Sequence, residues 1–173
     1  LDEKGNPQGF NVEITNALAR ALGLDIEIRL GPWSEIRRAL ENKEIDAIQG
    51  MFFSPEREKT FDFSLTHTSA NYVVVGRKEA LPLPETLEDL VGKQIAVEQG
   101  DIAHDHLVEM GLEEQLTTVL DAEAALAAVA NGTYDVTVVG RRTALYLIQK
   151  NGWHNLAVGK KPLMTLEYGF AVP

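Results

Sequence analysis

Phe10, Ile14, Ala17, Leu18, Ala21 and Leu22 recur at three- and four-residue steps behind a turn-rich opening, Gly5-Asn6-Pro7-Gln8-Gly9. That spacing lays them on one helical face, and Gly23 marks the end of the helix. Ile26, Ile28 and Leu30 then alternate with Glu27 and Arg29, the two-residue period of a strand with one buried face, until Gly31-Pro32 breaks the run. Trp33 to Leu40 predicts a second helix with Ser34 near its start. A turn over Glu41 to Glu44 leads into a short apolar strand, Ile45 to Gln49, which stops at Gly50. The chain to this point reads α-β-α-β.

Ser54-Pro55-Glu56 predicts another helix start, with Ser as N-cap, Pro where its missing N–H costs nothing, and an acid in the first turn. A strand over Tyr72 to Val75 comes next. Leu81-Pro82-Leu83-Pro84 is a stiff connector, and Thr86-Leu87-Glu88-Asp89 resembles a capping box with Asp in place of Glu. A lobe boundary is expected there, giving a first lobe of residues 1–78, to which residues 166–173 return, and a second lobe of residues 79–165. Alternation then resumes: strand Gln94 to Val97, helix Ala103 to Met110, strand Leu116 to Leu120, helix Ala122 to Ala130, strand Val136 to Val139, helix Arg142 to Lys150. Such alternation predicts an α/β fold with parallel sheets covered by helices on both faces.

An internal echo supports two similar lobes. Ala39-Leu40-Glu41-Asn42 runs through Ile45-Asp46 to an apolar strand and Gly50, and Ala128-Val129-Ala130-Asn131 runs through Tyr134-Asp135 to an apolar strand and Gly140. Both copies read helix, Asn turn, Asp, strand, Gly. A ligand of such a pair is expected between the lobes, outside the carboxyl ends of the strands.

The composition narrows the function. With 173 residues, 45% hydrophobic and 24% charged, the chain sits at the globular average and suits one large domain or two small lobes. Sixteen Lys+Arg against 26 Asp+Glu leave a formal charge of −10, which repels phosphate backbones and anionic lipid and argues against nucleic-acid binding. The absence of cysteine removes disulfides, thiolate zinc sites and cysteine nucleophiles, without fixing the compartment. No apolar run reaches the roughly 18 residues of a membrane-spanning helix.

Among candidate site residues, Gly50 to Arg57 comes first. A strand ends, the chain turns, and a helix N-terminus with Arg57 in its first turn offers orphan N–H groups and a guanidinium fork to a carboxylate. Against this stands pairing of Arg57 with Glu56, Glu58 or Asp62 on a solvated surface. Trp33, after a strand's carboxyl end, presents an indole face to a ligand or packs as a local staple. Phe52 and Phe53 are adjacent, so one is expected to face the core and the other the cleft. Asp101, between a strand and a helix, reads most simply as an N-cap. His104-Asp105-His106 does not make a metal site, because helical residues two apart point to nearly opposite sides. Neither a glycine-rich phosphate cradle, a G-x-S-x-G turn nor a pair of positioned carboxylates is present, so no cofactor and no catalytic machinery are expected.

These residues together resemble the family-3 bacterial extracellular solute-binding proteins, Venus-flytrap modules of the amino-acid-binding type. The likeness spans nearly the whole chain and rests on several ordered segments. Gly9-Phe10-Asn11-Val12-Glu13 matches G-F-D-V-D. Trp33 stands where the family puts a cleft aromatic. Gly50-Met51-Phe52-Phe53-Ser54-Pro55-Glu56-Arg57 matches G-M-S-I-T-P-E-R, Phe61-Asp62-Phe63-Ser64 matches V-D-F-S, and Leu87-Glu88-Asp89-Leu90-Val91-Gly92-Lys93 matches the opening of lobe two. The resemblance implies a periplasmic-binding-protein type II fold, two doubly wound lobes joined by a two-strand hinge. It also implies that Arg57 grips a carboxylate.

The departures matter too. In amino-acid-binding members the strand matching Val136 to Val139 ends in an Asp that holds the ligand's ammonium group; here Gly140 stands there, with Arg141 and Arg142 after it. A G-T-T or G-T-G loop of the family is replaced by Gly100-Asp101-Ile102, so either Asp101 inherits the ammonium contact or the ligand carries no ammonium. The stretch from Gly100 to Asp105 is more similar to periplasmic input domains of sensor histidine kinases than to transporter-coupled binding proteins. The family's opening L-R-V-G-x strand and its closing helices have no counterpart here, so lobe one is expected to be truncated, with further sequence at both ends or another chain filling the gap.

The resulting expectation is a periplasmic module that closes on a small carboxylate without covalent chemistry and serves a membrane-embedded sensor kinase; any kinase activity would lie in a separate domain. The alternative is the binding component of a transporter working with a membrane permease. The expected ligand contacts are Arg57, Trp33, Gly50, Phe52, Asp101, Ile102, Gly140 and Arg141. No metal, cofactor or nucleic acid is expected, and a homodimer is compatible with this reading.

Overall fold

The computed structural model describes residues 4–173. Its elements run α1 (Phe10–Leu22), α2 (Trp33–Glu41), β1 (Ile48–Phe52), β2 (Asp62–Phe63), β3 (Thr68–Arg77), β4 (Ile95–Glu98), α3 (Ile102–Glu109), β5 (Leu116–Val119), α4 (Ala122–Ala130), β6 (Val136–Gly140), α5 (Arg141–Asn151), β7 (Leu156–Val158) and β8 (Met164–Val172). The chain divides into two compact units, Leu1–Thr66 with Tyr168–Pro173, and His67–Glu167. The first boundary thus falls before β3, whereas the sequence suggested residue 78, after it; β3 belongs to the second unit.

In the first unit, β8 carries β1 on one edge and β2 on the other, all antiparallel. Leu40, Ile48, Met51, Phe61 and Ala171 form the buried core. The apolar stripe of α1 behaves differently from expectation. Only Ala19 is buried, while Phe10 is 57% and Leu22 68% exposed. The strand expected over Ile26 to Leu30 does not form, and Ile26 and Leu30 are exposed. Alternation yields a strand only where a neighbour supplies ladder bonds, and no strand among the described residues lies alongside this segment. The parallel pairing expected here is therefore absent among the described residues. The helix expected at Ser54-Pro55 shrinks to one 3-10 turn, Arg57–Lys59. Phe61, 2% exposed, is drawn into the core directly afterwards, and this takes the chain off the helical path.

The second unit keeps closer to the sequence. Its sheet order is β5-β4-β6-β3, with β4 parallel to β5 and to β6, and β3 antiparallel to β6. Helices α4 and α5 pack on it through Leu126, Val129, Ala144 and Leu147, against Val73, Val75 and Val139. Asp101 and Asp121 cap α3 and α4: their carboxylates accept the N–H groups of Ala103 at 3.4 Å and Ala124 at 2.8 Å, satisfying donors that a helix start leaves orphaned. Sequence reasoning missed β7 and β8, although in β8 Met164, Leu166, Tyr168, Phe170 and Val172 alternate with Thr165, Glu167, Gly169 and Ala171 behind a turn at Gly159 to Pro162.

The internal echo has a structural basis. Helix α2 ends at Asn42, after which Lys43 takes φ 60° and Glu44 donates its N–H to the Ala39 carbonyl at 2.8 Å. Helix α4 ends at Asn131, Gly132 takes φ 84°, and Thr133 donates to the Ala128 carbonyl at 2.9 Å. Both are Schellman endings, a left-handed residue closing a six-residue loop back onto the last helical turn. One uses glycine for that residue and the other lysine.

Candidate functional site

On the first unit, the candidate residues gather around the end of β1. Gly50 lies inside β1, not at its end, with φ 92° beside a register shift between Gln49 and Met51. A Cβ built there would stand 3.1 Å from the Asn11 side chain and 3.6 Å from the Tyr168 ring, so conformation and space both require glycine. Met51 is the fully buried residue of this stretch. This corrects the expectation that Phe52 or Phe53 faces the core. Strand alternation around a buried Met51 sends Phe52 to the opposite face, where it meets the Tyr168 ring edge-on at 5.1 Å. Phe53, past the strand end, meets Phe63 at 5.4 Å.

Arg57 is 2% exposed, the one charged side chain among the buried described residues. Its Nη1 donates to the Phe52 carbonyl at 3.3 Å, and its backbone N–H donates to Ser54 Oγ at 3.2 Å. The guanidinium carbon lies 5.4 Å from the centre of the Trp33 ring, a cation–π distance. Glu56, one of the surface partners weighed for Arg57, forms its ion pair with Lys59. A three-residue turn has too few aligned peptides for a useful dipole, so the anion attraction argued for this place reduces to the guanidinium itself. Trp33 occupies the first position of α2, directly after Pro32.

On the second unit, Asp101 does two structural jobs. It caps α3, and its Oδ1 accepts the Tyr72 hydroxyl at 3.1 Å. Ile102 is buried. Gly140 has an ordinary φ of −55°, and a Cβ there would make ordinary contacts, 3.6 Å from Thr143 Oγ1 and 3.8 Å from the Tyr72 ring. Neither strain nor crowding excludes a side chain at that position. Arg141 donates from Nη1 to the Gly159 carbonyl at 2.7 Å, which fastens the start of α5 to the segment after β7. His104 Nδ1 accepts the Gly100 N–H at 3.4 Å, and His106 lies 3.9 Å from Glu109.

Beside Asp101 is a recess of about 60 Å³ whose lining includes Tyr72, Glu98, Thr137, Gly140 and Thr143. Burial, reinforced by the charges of Asp101 and Asp121, pushes the Glu98 carboxyl up to about 7, against the N–H of Ala122, which favours the anion. Thr137, on the central strand β6, is 1% exposed, and its hydroxyl has no hydrogen-bond partner among the described residues. Sequence reasoning missed Glu98, Tyr72, Thr137 and Tyr168. Glu98 alone had a signal, a charged residue closing the apolar run Ile95-Ala96-Val97 at a strand's carboxyl end.

Two α/β units, with β8 entering from the second and ending in the first, are the organisation of a periplasmic-binding-protein fold. The chain belongs to the bacterial extracellular solute-binding proteins, family 3, whose model matches residues 1–91. It is similar to the arginine-binding extracellular protein ArtP of Bacillus subtilis (strain 168), at 35% identity over 112 residues, 64% of this chain and 43% of that protein. It is also similar to the L-cystine-binding protein TcyJ of Escherichia coli (strain K12), at 28% identity over 171 residues, 98% of this chain and 64% of that protein. Among solved structures it resembles a histidine kinase sensor domain with similarity to periplasmic binding proteins, at 34% identity and a TM-score of 0.93, covering 99% of this chain and 75% of that one. The chain thus spans less than two thirds of the length of these two curated relatives. Among the described residues, no helix is long and apolar enough to cross a membrane.

Proposed function

We propose that this chain binds a small carboxylate-bearing solute outside the cytoplasm, in the periplasm, as the ligand-sensing domain of a membrane sensor kinase. The observation that carries the reading is Arg57. It is almost fully out of solvent, with the Trp33 ring and the Phe52 carbonyl beside it. A guanidinium offers five donors in a rigid fork, and a carboxylate matches it bidentately. Phe52 and Trp33 supply apolar surface, and backbone at Gly50, Asp101 and Ile102 supplies further donors and acceptors. Ligand closure is proposed to act through the two chain passages, at Thr66–His67 and within β8, without making or breaking covalent bonds. Any kinase chemistry belongs to a separate domain. Similarity to a kinase sensor domain at a TM-score of 0.93 favours the sensing role; similarity to ArtP and TcyJ supports a second reading, the binding component of an amino-acid or organic-acid transporter.

Calorimetry against a panel of carboxylates tests the ligand class. Arg57→Ala should weaken binding at least about thirtyfold, since breaking a desolvated charge pair costs about 2–5 kcal/mol. Arg57→Lys, which keeps the charge but loses the fork, should fall between. Undiminished binding by a folded Arg57→Ala protein would end the carboxylate assignment. Reading the gene on both sides of this segment for a kinase module, or for a neighbouring permease, decides between sensor and transporter.

A further inference from the structure

The sequence holds two Asn-Gly pairs, Asn131-Gly132 and Asn151-Gly152, and the fold puts both at helix ends. Such a pair is chemically labile, because glycine has no Cβ to keep its backbone nitrogen from the neighbouring carboxamide carbon. The two endings match closely. Asn131 follows α4 with Gly132 at φ 84°, Asn151 closes α5 with Gly152 at φ 67°, and all four residues are exposed. Each glycine N–H donates to a carbonyl of the last turn, Gly132 to Val129 at 3.1 Å and Gly152 to Gln149 at 3.4 Å. Fraying of an exposed helix end releases both nitrogens.

The two carboxamides, however, lie opposite ways round. Asn131 Oδ1 accepts the Thr133 N–H at 3.0 Å and the Thr133 hydroxyl at 2.6 Å, while its Nδ2 meets no acceptor among the described residues. At Asn151 it is Nδ2 that is engaged, donating to Glu123 Oε1 at 2.8 Å and to the Leu147 carbonyl at 3.0 Å. The partners fix these orientations, since an N–H must face oxygen and a carbonyl must face the NH2 group. Attack on the carboxamide carbon drives negative charge onto Oδ1, and donors already aimed at that oxygen stabilise it. Asn131 has two such donors, both from a residue two positions on, so the contact survives the fraying that releases Gly132. Asn151 has none among the described residues, and its ties to α4 and to the preceding helical turn draw the carboxamide away from Gly152.

From this contrast we infer that Asn131 is a site of spontaneous backbone modification, converting to isoaspartate and aspartate and loosening the end of α4. The Gly132 nitrogen bonds to Asn131 Cγ and gives up its proton, the Cγ–Nδ2 bond breaks, and Nδ2 takes a proton and leaves as ammonia. The succinimide ring that remains is opened by water. Addition at the side-chain carbonyl gives aspartate; addition at the main-chain carbonyl gives isoaspartate, whose backbone runs through Cβ and Cγ and is longer by a methylene. That extra length pulls the Gly132 and Thr133 N–H groups off the Val129 and Ala128 carbonyls. The carbonyls of Val129 and Tyr134, on either side of the change, both hold Arg77 Nη1 at 2.9 Å, so the tie of β3 to this ending weakens too.

The test is prolonged incubation of the full chain in heavy-oxygen water at pH 6 and pH 8, followed by tryptic peptide mass analysis. Trypsin separates the two sites, because no Lys or Arg lies between Lys93 and Arg141 or between Lys150 and Lys160. Asn131 should convert at least about tenfold faster than Asn151, take up solvent oxygen, and react faster at pH 8, where the attacking nitrogen loses its proton more readily. In concentrated urea the two sites should convert at similar rates. Thr133→Val, which keeps the N–H and the branched shape but not the hydroxyl, should slow Asn131 by about fivefold, less than a donor is worth in a water-excluded site. The isoaspartyl form, separated by chromatography, should unfold at a lower urea midpoint than the unmodified chain. Equal rates at the two sites in the folded chain, faster conversion of Asn151, an inert Asn131, an undiminished rate in Thr133→Val or an unchanged midpoint would each overturn the inference. The ratio of rates within the parent chain needs no variant and so does not depend on the folding of Thr133→Val.

Discussion

Replacing Thr137 by Val should make the unliganded protein more stable. Thr137 sits on β6, its backbone paired with Val75 on one side and Ala96 on the other, so the ladder satisfies the main chain and leaves only the hydroxyl in question. Valine has the same branched shape and an equal or better strand preference, so neither backbone nor packing need shift. The hydroxyl is 1% exposed and has no partner among the described residues, and burying it so costs about 1–3 kcal/mol. Its removal should therefore return about 1–2 kcal/mol, raising Tm by about 2–6 °C in a protein of this size. Urea unfolding of both proteins, monitored by tryptophan fluorescence, measures the change as a higher midpoint at unchanged slope. Thr137→Ser, which keeps the hydroxyl and deletes the methyl, should lose about 1 kcal/mol instead. A valine variant less stable than the parent would show that the hydroxyl has a partner and would refute this reasoning.

Two other places in the structure make further outcomes testable. Lys43→Gly should stabilise the first unit by about 0.5–1 kcal/mol, because Lys43 holds a left-handed φ of 60° in the same helix ending where Gly132 stands in the second unit; no gain in urea midpoint would count against strain at this turn. Glu98 should make stability fall as pH rises. Its carboxyl is raised to about 7 in the folded protein from an ordinary 4.5, so the folded state holds the extra proton between these values and loses that advantage by pH 8. Discounted for its partial exposure, the loss is about 1–2 kcal/mol. Glu98→Gln should therefore match the parent near pH 4 and exceed it at pH 8, and parallel unfolding curves across that range would refute the assignment.

The second unit was legible in the sequence because its strands are central and its helices carry caps that can be read locally. Ile95-Ala96-Val97, Val136-Thr137-Val138-Val139 and the aspartate at 101 all announce themselves within a few residues. The first unit was less so. Ile26, Ile28 and Leu30 have the period of a strand, but a period cannot say whether a partner lies alongside. The Ser54 hydroxyl does cap the turn, yet the length of that turn was decided by Phe61 entering the core, a tertiary pull invisible in local propensity. Among the candidate residues, Arg57, Trp33 and Asp101 could be singled out because each sits at a turn with readable chemistry. Tyr72 bonding Asp101 across 29 positions, and Tyr168 bonding Asn11 across 157, are products of the fold alone. Arg77 is a similar case, its Nη1 donating to the carbonyls of Val129 and Tyr134, both at 2.9 Å, which ties β3 to the end of α4.

Strand β8 imposes an order on biosynthesis. Among the described residues, β1 and β2 find their ladder bonds only on residues 168–172, the last stretch of this segment to leave the ribosome. Residues 67–167 form a contiguous body and can assemble as they emerge, whereas Ile48 to Phe63 must stay unzipped until more than a hundred later residues have been translated. A nascent chain halted just before Tyr168 would thus carry a finished second half and exposed strand edges in its first, the kind of intermediate a chaperone recognises.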